Sequence, residues 1–156
     1  MAAIIKRLSS ARALLNWLKT VDGSGSGLDA DTVDGVHITV GNWTPTLTIV
    51  ANLDAATANS FRYARLRDGS NDMVFFYGRI FLDPTASTTT TTCRGTLPVA
   101  SNFTNPAQAV GTFSANTILS SGAITSDATN DQLDFTLISQ GTANTGYHCV
   151  GGYTVL

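Results

Sequence analysis

Two hydrophobic patterns divide the chain. Over residues 3–21 the apolar positions Ile4, Leu8, Ala11, Leu15 and Leu18 follow one another at spacings of four, three, four and three, the a/d seam of a coiled coil. Ile5, Leu14 and Val21 widen that face, and Trp17 lies off it. A helix of this length is marginal alone in water. Its apolar face therefore calls for a partner: two sister helices, a socket on a larger particle, or the helix's own domain. From Val36 onward the period changes to two, the period of a strand with one buried face. Strands are predicted over 44–50, 61–67, 73–82, 88–95, 108–114, 117–125, 133–139 and 147–156. Turn chemistry separates them, at Asp68-Gly69, Asp83-Pro84, Asn105-Pro106, Asp127–Asp131 and Gln140-Gly141. The fold this predicts is mainly β: an antiparallel, jelly-roll-like β-sandwich preceded by a short N-terminal α-helix.

The hairpin Phe61–Leu82 is the clearest local unit. Asp68-Gly69 offers its turn, and its second strand, Met73–Leu82, is apolar almost throughout. A strand with two apolar faces fits either the centre of a sandwich or a subunit interface. Thr88–Thr92 is a run of five threonines, favouring strand through β-branching. Such a run reads as a solvated strand, or as a hydroxyl ladder meeting a saccharide or the same strand of a neighbour. Between the two regimes, Asp22-Gly-Ser-Gly-Ser-Gly27 is a flexible tether. The following stretch to His37 has only Leu28, Val33 and Val36 to bury, so it is a linker or is held by neighbouring chains. The expected organisation is helix 1–22, tether and neck 23–41, and β-body 42–156.

One segment carries a resemblance. Leu28-Asp-Ala-Asp-Thr-Val-Asp-Gly-Val-His37 resembles the neck segment of bacteriophage tail fibres and related virion fibres, where it joins a trimeric shaft to the next module. Asn42–Thr48, Tyr63–Gly69, Gly95–Pro98 and Gly152–Leu156 are similar, more loosely, to the C-terminal β-sandwich tips of such fibres. The resemblance implies a homotrimeric virion protein assembled in the host bacterial cytoplasm. Leu28, Asp29, Asp31, Val33, Asp34 and His37 would form the neck, and the N-terminal segment would attach to capsid, tail or other virion proteins.

Composition narrows the picture further. With 43% apolar and 13% charged residues the chain is not of the disordered class. A net charge of −2 and a pI of about 5.4 argue against a nucleic-acid partner. The body carries Arg62, Arg65, Arg67, Arg79 and Arg94 against seven aspartates, with neither Lys nor Glu. Arg12, Asn16 and Lys19 interrupt the N-terminal apolar run, and nothing approaches the ~18 apolar residues of a membrane span; neither a signal peptide nor a membrane segment is expected. Cys93 and Cys149 are read as buried free thiols packing as small hydrophobes, in keeping with maturation in a reducing compartment.

Enzyme chemistry finds little footing. His148 and Cys149 are adjacent on a predicted strand, so their side chains point to opposite faces and cannot pair as base and nucleophile. Asp29-Ala-Asp-Thr-Val-Asp-Gly35 misplaces its third Asp and its Gly for a calcium loop and would put Val40 at position twelve. Gly23–Gly27 lacks the Lys-Ser/Thr ending of a phosphate loop. No catalytic residue, metal or cofactor is expected. Candidate ligand contacts are Asn102, Phe103, Asn116, Asp131 and Tyr147, because aromatic faces and amides or carboxylates suit sugar rings and hydroxyls. Trp43 is read instead as a plug where the linker meets the sandwich. Two functions follow: a short trimeric fibre whose tip attaches to a host-surface glycan, favoured by the neck segment, or, as the alternative, a trimeric capsid decoration protein that stabilises the head, favoured by the short chain without a long shaft.

Overall fold

A computed structural model describes residues 32–33, 36–115 and 120–156. The predicted helix 3–21, the tether, neck positions Leu28, Asp29, Asp31 and Asp34, and Asn116 lie outside the described residues. The chain divides into two compact units, Met1–Ile38 and Thr39–Leu156. In the first, Thr32–Val33 (β1) pairs antiparallel with Val36 and His37. The strand these two begin, Val36–Trp43 (β2), continues into the second unit.

The second unit is mainly β and antiparallel. Its further strands are Leu47–Ala51 (β3), Leu53–Ala58 (β4), Phe61–Asp68 (β5), Asn71–Pro84 (β6), Thr90–Gly95 (β7), Ala109–Ala115 (β8), Ser121–Asp127 (β9), Gln132–Ile138 (β10) and Thr145–Thr154 (β11). A 3-10 turn, Pro106–Gln108, leads into β8; Asn105 caps it by accepting from Ala107 N. From β2 the strand order is β2-β5-β6-β11-β8-β9-β10-β7-β3, with β4 on β6. β3 and β4 also touch each other, so the sheet curls until one bent strand pair bridges β7 and β6. The run β8-β9-β10 is a meander, and β11 returns to lie beside β8, the 4-1-2-3 order of a Greek key.

The core follows from alternation. In β6, Val74, Phe76, Ile80 and Leu82 point inward. They meet Tyr147, Cys149 and Tyr153 from β11, Phe113 from β8, and Leu133, Phe135 and Leu137 from β10. Aromatic rings interlock edge to face, Phe113 with Phe135 at 6.0 Å and with Tyr147 at 5.5 Å, the arrangement their quadrupoles prefer. Glycines admit rings at the tightest places. A side chain at Gly122 would sit 2.3 Å from the Phe113 ring, and one at Gly78 2.2 Å from the Phe61 ring.

Asn52 makes the corner between β3 and β4. Its φ of +54° is a left-handed conformation that Asn tolerates better than most residues. Its amide donates to Thr91 Oγ1 at 2.7 Å and to Ala86 O at 2.9 Å. Its carbonyl oxygen accepts from Thr85 Oγ1 at 2.6 Å and from Ala86 N at 2.8 Å. The threonine run is divided by this geometry. Thr88 is in a turn at φ +56°, Thr91 is fully buried beside Asn52, and Thr92 Oγ1 lies 3.2 Å from Thr136 Oγ1. Only part of the run therefore presents hydroxyls to solvent.

Cys93 and Cys149 are both buried and free, as the composition suggested. Burial pushes both thiols up to about 12, leaving almost no thiolate at neutral pH. The folded protein should therefore resist iodoacetamide at pH 8 over hours, with mass spectrometry finding two additions only after denaturation. Rapid native labelling would contradict this packing.

On the outer side of β7, β9 and β10 one guanidinium joins two acids. Arg94 Nε lies 2.7 Å from Asp127 Oδ2 and 2.9 Å from Asp134 Oδ1. Burial alone would raise Asp127, but bonds from Asn130 Nδ2 and Thr129 N, with Arg94 nearby, hold it below the usual carboxylate range. Burial pushes Asp134 up, against the pull of Arg94. Asp127 thus adds stability above its unfolded pKa that is lost as pH falls through its folded value, whereas ionising Asp134 costs stability as pH rises. Arg94→Gln would leave two neighbouring carboxylates without their cation. It should cost about 2 kcal/mol at pH 7, and less on acidification, where Asp134, pushed up by burial, takes its proton before Asp127 does; urea midpoints at pH 7 and at mildly acidic pH measure the difference.

Candidate functional site

The most distinctive surface of the second unit is an apolar face. The alternation that turns Val74 and Phe76 inward sends Met73, Phe75 and Tyr77 outward, and they are 41%, 46% and 57% exposed. Register places like residues beside them: Val150 opposite Tyr77, Gly152 opposite Phe75 and Val110 opposite Gly152. Val150 and Val110 are 56% and 70% exposed. On the other side of β6, Ala64 and Leu66 of β5 pair with Phe75 and Met73. The result is a continuous apolar surface over β5, β6, β11 and β8.

Two hollows mark its relief. One, of about 550 Å³, is lined by Val40 and Asn42 of β2, by Arg62 and Tyr63 of β5, and by Phe75 and Tyr77. The other, of about 640 Å³, is lined by Met73, Val110, Thr112, Gly152 and Thr154. They share Phe75, Val150 and Gly151, so they are halves of one surface. Arg62 is the single ionisable cation lining them, and no carboxylate does. No histidine or cysteine lines them either, and their walls are mostly apolar side chains and glycine. Among the described residues no cluster of three or more His, Cys, Asp or Glu could hold a metal.

The residues singled out as ligand contacts do not converge. Phe103 is 4% exposed and packs edge-on against Tyr153 at 5.7 Å. Tyr147 is 1% exposed, its ring against Phe113. Both are core residues, which corrects their reading as surface aromatics. Tyr147 falls in the same alternation as Cys149 and Tyr153, so its ring turns inward with theirs. Asp131 is exposed, at φ +52°, but its carboxylate accepts from Phe103 N at 2.7 Å and so fastens its own loop. Asn102 is exposed. Trp43 packs on Phe61 at 4.9 Å and on Phe76 at 5.8 Å, against the core. His37 is exposed on β2, and Val33 lies in β1.

The apolar outer phase of Met73–Tyr77 was visible in the sequence as a strand with two apolar faces. Val110 and Val150 were not singled out, because an isolated valine in an alternating strand gives no sign of which face is covered.

Fold and site together define a curled antiparallel β-domain with an exposed, mostly apolar face. No protein-family model matches the chain, and no curated protein or solved structure matches it significantly.

Proposed function

We propose that this chain is a bacteriophage virion structural protein, a short homotrimeric fibre whose β-body is a jelly-roll-like sandwich tip for attachment to a host-surface glycan. Residues 3–21 bundle with sister helices or dock on other virion proteins, and residues 23–41 form the neck. The observation that carries this reading is the apolar face of Met73, Phe75, Tyr77, Val110 and Val150, at the upper end of what monomeric soluble domains expose. The Leu28–His37 resemblance supplies the virion context, and the Greek-key return of β11 beside β8 supports the jelly-roll-like tip. Three tips on one stalk add weak contacts into avidity where receptor spacing allows.

Burial of Phe103 and Tyr147 favours a second reading, a trimeric capsid decoration protein, since it removes two aromatic faces from the candidate glycan contacts. Immunogold labelling of phage particles from bacteria producing this chain separates the readings. Label at the tail or on projecting fibres supports the first, label over the head shell supports the second, and unlabelled particles overturn both.

A further inference from the structure

We infer that the outer face of β6, β11 and β8 is the surface on which a second copy of this chain docks, so that the β-body itself, and not only the N-terminal segment, carries subunit association. This rests on the oligomeric reading above and assigns its interface.

Three observations select a second copy over other occupants. The first is area. Met73, Phe75, Tyr77, Val110 and Val150, with Val40 at 73% exposure, expose on the order of 600 Å², close to the ~800 Å² each partner gives a standard interface. A single saccharide ring would cover only part of it.

The second is charge. No carboxylate lines either hollow, and Arg62 is their one cation. A basic partner would find no carboxylate to pair with in either hollow, and two copies of such a face bring few charges of like sign together.

The third is relief. Gly152 leaves a shallow trough in the outer face of β11, flanked in register by Phe75 and Val110, with the cross-strand pair Val150–Tyr77 standing beside it. Ridge and trough lie on the same patch. Around a three-fold axis the ridge of each copy can therefore meet the trough of the next, the head-to-tail contact that closes a ring of identical subunits.

The test is the native mass of the full chain by light scattering, across a concentration series, for wild type, Val150→Asp and Val110→Asp. Circular dichroism and melting curves check that each variant folds. The expected result is an oligomeric wild type and folded variants with at least tenfold weaker association. If the aspartates disturb folding, Val150→Thr and Val110→Thr keep β-branching and nearly the same volume, and should weaken association in the same direction. Folded variants that associate as strongly as wild type would overturn this interface while leaving the trimer to residues 3–21. A monomeric wild type would overturn both this inference and the homotrimeric reading. Particle labelling tests the virion reading independently of either.

Discussion

Gly78→Ala should destabilise the β-body by about 3 kcal/mol, the upper part of the range for overpacked cores. The added methyl would lie 2.2–2.5 Å from three carbons of the Phe61 ring. That ring cannot retreat easily: it is fully buried, with Trp43 4.9 Å away and Phe76 6.3 Å away. Gly78 also pairs with Cys149 in the middle of the β6–β11 ladder, so the backbone cannot shift without straining the central pairing. Against a typical total of about 5–15 kcal/mol, the loss would be plain in a urea titration. Phe61→Leu costs stability alone but makes room for the methyl. The double variant should therefore be less destabilised than the sum of the two singles; strict additivity would show that the ring is not what the methyl meets.

Asn52→Ala should cost a similar amount, about 3 kcal/mol, through a different mechanism. It removes a side chain that joins the β3–β4 corner to the 85–91 segment through Thr85, Ala86 and Thr91. Thr91 is fully buried, so its hydroxyl loses a donor it cannot replace from bulk water. Alanine must also adopt the φ of +54°, at a cost of roughly 1–2 kcal/mol. Asn52→Gly keeps that conformation and should recover about 1 kcal/mol relative to alanine, partly offset by the entropy of glycine. Equal stabilities for the two variants would show that conformation contributes nothing at this corner.

These two residues also show what could be read before the structure. The strands with strong period-two alternation were legible: 61–67, 73–82, 133–139 and 147–156 match β5, β6, β10 and β11 closely. The Asp68-Gly69 turn holds as well, with Gly69 at φ +50° between paired Asp68 and Asn71. Leu53–Ala58 escaped notice because its residues after Leu53 are small or polar; backbone pairing to β6, not an apolar stripe, makes it a strand. The period-two pattern that begins at Val36 corresponds to β2, which runs to Trp43 across the boundary at residue 41. Asn52 carries no sequence signal of its role, since its partners Thr85, Ala86 and Thr91 lie 33 to 39 residues away. The same limit applies to Phe103 and Tyr147. Residue type says what a side chain can bind, but only its place in the alternation says whether solvent can reach it.

The position of β11 bears on synthesis. Thr145–Thr154 sits between β6 and β8 and holds both through full ladders, yet it is the last strand of the body to leave the ribosome. Until it arrives, β6 and β8 each present an open edge, and Val74, Phe76 and Phe113 lack the inward-facing Tyr147, Cys149 and Tyr153 that close over them. The body therefore cannot ripen strand by strand from its N-terminal side. A nascent or prematurely ended chain keeps those edges and core faces open, and a closed body arises only from chains translated through residue 154.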